Sequence, residues 1–136
     1  MRFMMLMIPK GYDKADAEAP PTAEAIAEMT KYNESLTKAG VLLALDGLYP
    51  QASSTRLTFS AKKAHVKDGP FAEAKEAVGG YWMIQVKSKE EAVQWASRCP
   101  AGEGDTIEVR QVFEMTDFAE VPQISPELSK IGARQL

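Results

Sequence analysis

The chain has 136 residues, of which 45% are hydrophobic and 26% are charged, and its net charge is −3. These values are typical of one soluble globular domain; they argue against a disordered chain and provide no basic surface for nucleic acid. With one cysteine and one histidine, an intrachain disulfide is impossible and no metal site is expected.

The first predicted element is a strand over residues 3–8, which are apolar without alternation. Such a run is typical of a central strand that is covered on both faces. It is too short to cross a membrane, and it lacks the small-residue cleavage site of a signal peptide. We therefore expect no membrane partner and a cytoplasmic protein.

A helix is predicted over about residues 22–39, with Gly40 as its stop signal. Its apolar positions recur at three- and four-residue steps, and Asn33 falls among them. Asn33 and its neighbour Tyr32 could therefore project into a cleft, although a tyrosine at such a position is more commonly part of the core.

The next predicted strand covers residues 41–48. Regular alternation places Asp46 on the same face as Leu42, Ala44 and Leu48. A carboxylate on an apolar face tends towards a raised pKa, which suits a general base. In the alternative interpretation the strand has already ended, and Asp46 is a turn residue.

Residues 55–60 and 64–67 are predicted to form a hairpin, with Leu57 and Phe59 on one face and Arg56 on the other. An arginine in mid-strand needs a carboxylate partner, for which Asp68 and Glu73 are candidates, or an anionic ligand. Arg56 is therefore a candidate ligand-binding residue. The only histidine, His65, lies in the same hairpin, where exposure is favoured over catalysis.

Residues 68–76 combine a Gly-Pro turn signal with three carboxylates and a lysine, directly before a strand predicted at residues 80–86. Turns that deliver ionisable side chains next to a buried strand often build functional sites. Asp68 can cap the turn, contribute to a ligand site, or do both. Glu73 and Lys75 are either a solvated helical turn or ligand-binding residues, and Tyr81 follows as an aromatic wall for a pocket.

The last predicted elements are a helix that Ser88 caps and Pro100 closes, and an alternating strand over residues 106–114. Residues 1–118 thus form one domain. Residues 119–136 are a tail, either a docked helix or frayed.

The order of these elements is strand–helix–strand, hairpin, strand–helix–strand. It predicts an α+β fold of the ferredoxin-like βαββαβ type, in which an antiparallel four-stranded sheet carries both helices on one face and the hairpin is an insertion. The unbroken apolar run at residues 3–8 implies that the other face is covered too. Pairing with a second copy is the simplest cover, so we expect a homodimer.

Several segments together form a recognisable pattern. They are Met29-Thr-Lys-Tyr-Asn-Glu-Ser-Leu36, Ala39-Gly-Val-Leu-Leu43, Arg56 with Phe59-Ser60, Asp68-Gly-Pro-Phe-Ala-Glu-Ala-Lys-Glu76, Gly80-Tyr-Trp82, Val86-Lys-Ser-Lys-Glu-Glu-Ala-Val-Gln-Trp95, Arg98-Cys-Pro100, Ile107-Glu-Val-Arg-Gln-Val-Phe-Glu114 and Asp117-Phe118. On these segments the chain resembles the YCII-related superfamily, and within it the DGPF-domain branch of the dimeric α+β barrel group. The resemblance covers residues 1–118.

The resemblance implies a ferredoxin-like protomer and a dimer that closes a barrel-like core. It does not imply one activity, since YCII-type relatives include a dehydrochlorinase-like enzyme and muconolactone isomerases share the wider fold. Members commonly carry Glu and then His in the segment matching Asp46-Gly-Leu-Tyr49, and Thr at the place of Lys67. Here a shorter acid and a tyrosine replace the acid–imidazole pair.

Two functions are compatible with these residues. The first is a cofactor-free acid–base enzyme, of lyase or isomerase type, that acts on a small anionic or aromatic molecule. Its base would be Asp46 or Asp68 rather than His65, and Arg56 would anchor the substrate. The second is a non-catalytic dimer that binds a metabolite or is linked to transcription control. Either function predicts that residues 46, 56, 68 and 73 converge on one cleft.

Overall fold

The computed structural model describes residues 1–12, 21–71 and 76–118. Its strands and helices are β1 (Arg2–Ile8), α1 (Ala23–Lys38), β2 (Leu42–Gly47), β3 (Thr55–Ser60), β4 (Lys63–Asp68), β5 (Gly80–Gln85), α2 (Lys89–Ser97) and β6 (Thr106–Gln111). Short 3₁₀ turns lie at Gln51–Ser53 and Met115–Phe118. Glu73, Lys75 and the tail at residues 119–136 lie outside the described residues. Within the described part, none of the helices combines the length and the apolar character that a bilayer span needs.

Four strands form an antiparallel sheet in the order β2-β5-β1-β6. The strand β1 is central, because it pairs with β5 on one side and with β6 on the other. The sheet order and the two strand–helix–strand units are those of the ferredoxin-like plan, so the predicted α+β fold is confirmed. The hairpin β3–β4 forms a separate two-stranded sheet, as the insertion was predicted to do.

Both helices begin where side chains can bind free backbone amides. Thr22 Oγ1 accepts from the amide of Ala25 at 3.1 Å at the start of α1. At α2, Ser88 Oγ accepts from the amide of Glu91 at 3.1 Å, and the Glu91 carboxylate accepts from the amide of Lys87 at 2.9 Å. Hydrogen bonds from the backbone amides of the first turn to nearby side-chain oxygens fix the position at which a helix starts.

The core lies between the sheet and the two helices. Its sheet side includes Phe3, Met5 and Ile84, each no more than 1% exposed, against Leu36 of α1 and Ala92 of α2. The Tyr32 and Trp82 rings meet edge to face at 5.7 Å. Tyr32 is therefore a core residue, held further by donation from its hydroxyl to the Trp95 carbonyl at 2.6 Å.

The other face of the sheet has no helix among the described residues. It carries the alternate side chains of β1, Met4, Leu6 and Ile8, together with Tyr81 and Met83 of β5, and all of these are only half-buried. The apolar run of β1 therefore contains one set of side chains that faces the core, with Phe3 and Met5 fully buried, and one set that is partly open.

The strand β2 contains a β-bulge that changes which face its residues occupy. Leu42 pairs with Ile84, but the next paired residue is Ala44, opposite Met83, so Leu43 is left out of the ladder. After the bulge, Leu45 points to the core with Leu42, whereas Ala44 and Asp46 lie on the opposite face. The predicted grouping of Asp46 with Leu42 is therefore wrong, because a bulge inserts one residue into the alternation.

The hairpin β3–β4 projects from the sheet with every residue of both strands exposed. Its turn is Ala61-Lys62, whose φ angles are 50° and 64°, as the two-residue turns of twisted hairpins require. Leu57 lies opposite Val66, so apolar side chains line one face, as predicted.

Candidate functional site

Asp46 and Tyr81 form a hydrogen-bonded pair on the open face of the sheet. They lie directly opposite each other in the β2–β5 ladder, and the Tyr81 hydroxyl donates to Asp46 Oδ2 at 2.9 Å. The hydrogen bond to the Asp46 carboxylate, together with its negative charge, raises the pKa of Tyr81. The phenol therefore stays neutral near pH 7 and remains a hydrogen-bond donor.

A cavity of about 180 Å³ adjoins this pair. Its wall is mostly apolar, and its polar members are Asp46, Tyr81 and Asn33; the apolar side chains are Met7, Met29, Leu45 and Trp82. Gly80 lies in the wall where β2 and β5 approach, and a Cβ there would be 3.0 Å from the Asp46 carbonyl oxygen. Asn33 and the apolar side chains of the wall lie on the helix-covered side of the sheet, whereas the Asp46 and Tyr81 side chains lie on the open face. The cavity therefore meets this pair at the end of the two strands, where Gly47, Gly79 and Gly80 line it.

The orientation of the Asn33 amide is fixed by Trp82. Asn33 Oδ1 accepts from Trp82 Nε1 at 2.8 Å, and an indole nitrogen can only donate. The oxygen must therefore face Trp82, which leaves the Asn33 amide nitrogen for another acceptor. The sequence indicated that Asn33 could project into a cleft, but its bond to Trp82 on a strand distant in sequence could not be predicted from the helical pattern.

Asp68 has a local structural partner. Thr55 Oγ1 donates to Asp68 Oδ1 at 2.7 Å, between residues that face each other at the base of the hairpin. The next residue, Gly69, donates its amide to the Ser54 carbonyl at 2.8 Å and precedes a cis peptide bond to Pro70. This contact across the hairpin differs from the predicted cap, in which the carboxylate would bind a backbone amide two residues on, because residue 70 is proline and has no amide hydrogen.

The partner of Arg56 is an aromatic ring and not the predicted Asp68. Its Cζ lies 4.1 Å from the ring centre of Phe71, and Phe71 is only 2% exposed. Among residues 1–12, 21–71 and 76–118, no carboxylate forms an ion pair with Arg56. The other predicted partner, Glu73, lies outside the described residues, as does Lys75.

Arg56 lines a second cavity, of about 460 Å³. The described residues in its wall are 48–51, 53, 54, 56, 71 and 76–78, and they include neither Asp46 nor Asp68. Asp46 and Arg56 thus line different cavities, and Asp68 lines neither of the two. The predicted convergence of residues 46, 56, 68 and 73 on one cleft also involves Glu73, outside the described residues, and stays a prediction. His65 is exposed in β4, opposite Thr58, which agrees with the exposed position favoured by the sequence.

Two other kinds of chemistry find no support in the described part of the chain. No cluster of His, Cys, Asp and Glu there could hold a metal ion. Burial raises the pKa of the Cys99 thiol to about 11, so this side chain is protonated at neutral pH and is a poor nucleophile.

Comparison with known proteins adds two findings. The family model of the YCII-related domain matches residues 1–116. The chain is also similar to an uncharacterized protein of Rhizobium meliloti (strain 1021), with 33% identity over 69 residues. This alignment spans 51% of the chain and 56% of that relative, or about half of each.

Proposed function

The chain belongs to the YCII-related family, and we propose that it is a cofactor-free acid–base enzyme of lyase or isomerase type. Its substrate is a small anionic or aromatic molecule. The observation that carries this proposal is the Asp46–Tyr81 pair beside an apolar cavity. A carboxylate, a neutral donor and an apolar wall are the parts that proton transfer at carbon needs.

In this mechanism Asp46 is the general base. Its carboxylate takes a proton from a substrate carbon next to a carbonyl group, and the electron pair of the broken C–H bond moves into the adjacent bond. In an isomerase the proton returns at another carbon; in a lyase a neighbouring leaving group departs with its bonding pair. Tyr81 orients the carboxylate on the open face of the sheet. The substrate extends past the glycines at the strand end to the helix-covered side, where the Asn33 amide donates to the substrate oxygen on which negative charge develops.

The cavity restricts the substrate. Its volume of about 180 Å³ is below the roughly 300–1,000 Å³ of pockets that bind drug-sized molecules. The substrate is therefore a compact molecule, and its apolar part contacts Met7, Met29 and Leu45.

We further propose that the chain belongs to the DGPF branch and forms a homodimer in the cytoplasm. The segment Asp68-Gly-Pro-Phe71 supports the branch. The half-buried apolar side chains on the open face of the sheet support the dimer, because a second copy of the same face would cover them. A lone thiol, Cys99, suits a reducing compartment.

A second candidate function is a non-catalytic dimer that binds a metabolite or regulates transcription through a partner. The exposed apolar side chains of the hairpin favour it: Leu57, Phe59 and Val66 are 53%, 74% and 66% exposed. Apolar side chains grouped in this way often mark a surface for another protein.

The experiment that separates these functions is proton exchange in D₂O. A panel of small keto acids and substituted aromatic acids is incubated with the protein, and loss of carbon-bound protons is followed by NMR. Asp46→Asn is expected to slow turnover of an accepted compound by about 10²–10⁴-fold. Asn33→Asp keeps the acceptor for Trp82 Nε1 but removes the donor, and is expected to slow it by at least about tenfold.

The controls are His65→Ala and Asp68→Asn, which are expected to retain turnover. If His65→Ala abolishes turnover while Asp46→Asn stays active, the assignment of the base is wrong. If the wild type exchanges no compound of the panel, the binding protein becomes the better interpretation.

A further inference from the structure

The second cavity has the composition of a ligand site of its own. It lies where the segment after β2 meets the residues that return from the hairpin, and its volume is about 460 Å³. This is within the usual range of pockets for small organic molecules. The residues that line it differ from those that line the Asp46–Tyr81 cavity, and a ligand there is argued without the proposed enzyme chemistry.

The arginine in this cavity is pre-oriented by a buried ring. Phe71 is almost fully buried and holds the Arg56 guanidinium over its face, with Cζ 4.1 Å from the ring centre. Lys67 Nζ lies 5.9 Å from the same ring centre. A guanidinium over a ring face keeps its five N–H donors, and two of them can bind a carboxylate through parallel hydrogen bonds.

Apolar side chains lie beside this cation. Tyr49 is 86% exposed, Leu48 45% and Val78 38%, and all three line the cavity. Large apolar side chains exposed next to one oriented cation match a ligand with an anionic end and a flat apolar body. Glu76 is also in the wall, and its negative charge disfavours a second anionic group on the ligand.

We propose that this cavity binds a planar organic monocarboxylate. Arg56 binds the carboxylate through its N–H edge, and Tyr49, Leu48 and Val78 contact the flat apolar part. In this arrangement Phe71 has a second role besides packing, because it orients the cation that recognises the ligand.

The test uses benzoate as the probe and benzamide as its neutral analogue, with affinities from NMR titration of the full chain. Benzoate is expected to bind saturably and more tightly than benzamide. Arg56→Gln is expected to weaken benzoate binding by at least about tenfold, because a charged hydrogen bond is lost. Glu76→Gln is expected to tighten it by about two- to fivefold, as removal of a nearby like charge does at a surface.

The matched control is Lys63→Gln, which removes the same charge near the tip of the same hairpin and is expected to leave the affinity unchanged. Equal losses in Arg56→Gln and Lys63→Gln would overturn the proposal, because they would indicate attraction by net charge alone. The proposal would also be overturned if the protein did not bind benzoate saturably, if it bound benzamide with the same affinity as benzoate, or if Glu76→Gln bound benzoate more weakly than the wild type.

If thermal unfolding shows that Arg56→Gln does not fold, the same benzoate titration is carried out with Arg56→Lys. Lysine keeps a cation over Phe71 but lacks the two-nitrogen edge, so the affinity for benzoate is expected to fall by at least about threefold. An unchanged affinity in this variant would overturn the proposal.

Discussion

The side-chain carboxylates and amides of this protein differ in how much hydrogen-bonding capacity remains after the bonds that they already form. Asp68 accepts a hydrogen bond from Thr55 on the neighbouring strand, a contact that joins the two strands at the base of the hairpin. Asp46 receives one bond from Tyr81 and lies beside a cavity. Asn33 is oriented through its oxygen and keeps its donor. The residue that can act on a ligand is therefore identified by its remaining hydrogen-bonding capacity and not by its type alone.

A second residue-scale contact gives a pH prediction. Arg2 Nε lies 2.8 Å from Glu114 Oε1, and this hydrogen bond lowers the pKa of Glu114. A carboxylate whose pKa is lower in the folded state stabilises the fold above the unfolded value, which is about 4.3, and loses that contribution as the pH falls through the folded pKa.

Glu114→Gln is therefore expected to lower the melting temperature at pH 7, and the gap from the wild type is expected to close below about pH 4. The measurement is thermal unfolding from pH 7 to pH 3. The matched control is Glu108→Gln, whose carboxylate is 3.9 Å from Arg110 in an exposed pair and which is expected to change little at any pH. A gap of constant size across this range would contradict the prediction for Glu114.

At the scale of elements, the segment after β4 attaches the hairpin to the domain. A Cβ on Gly69 would overlap the carbonyl oxygen of Gln51, so only glycine permits this approach of the two backbones. Gly69→Ala is expected to destabilise the protein by about 2 kcal/mol or more, since the backbone of the turn must move.

The control is Gly47→Ala at the end of β2, where a Cβ would meet nothing within 4 Å. This variant is expected to change the free energy of unfolding by no more than about 0.5 kcal/mol. Urea unfolding of both variants measures the difference. Equal losses of stability would show that the close approach at Gly69 is not the cause.

Local patterns predicted most elements but not the positions that depend on pairing. The Ser88 cap, the helix stop at Gly40 and the hairpin turn were predictable because their signals lie within a few residues. The bulge at Leu43 arises from the register of β2 on β5, so the face of Asp46 was predicted from an alternation that the sheet interrupts. The contact between Arg56 and Phe71 likewise depends on how the chain returns from the hairpin.

The Thr55–Asp68 contact was accessible from the sequence. The two residues are equidistant from the turn, and antiparallel pairing around Ala61-Lys62 places them opposite each other. A register drawn from the turn would have indicated that Asp68 has a hydroxyl partner. Asp68 would then have ranked below Asp46 as a candidate base.

At the scale of the whole molecule, the sheet has two unequal faces. One face is covered by α1 and α2. In the described part of the chain, the other face carries the half-buried side chains Met4, Leu6 and Ile8. We expect a second copy to cover this face, and a stable interface of this kind to bury more than about 1,200 Å² in total. Sedimentation at micromolar concentration is expected to give about twice the 14.9 kDa mass of the chain.

Leu6→Glu tests which surface forms the dimer. Leu6 lies in the central strand between Tyr81 and Glu108, and a carboxylate there would be buried without a partner in the interface, so the variant is expected to sediment as a monomer. Ile26→Glu is the matched control, because Ile26 is 53% exposed on α1, and it is expected to remain a dimer. A wild type that sediments as a monomer, or a Leu6→Glu variant that stays dimeric, would place the contact elsewhere and leave the open face without its proposed partner.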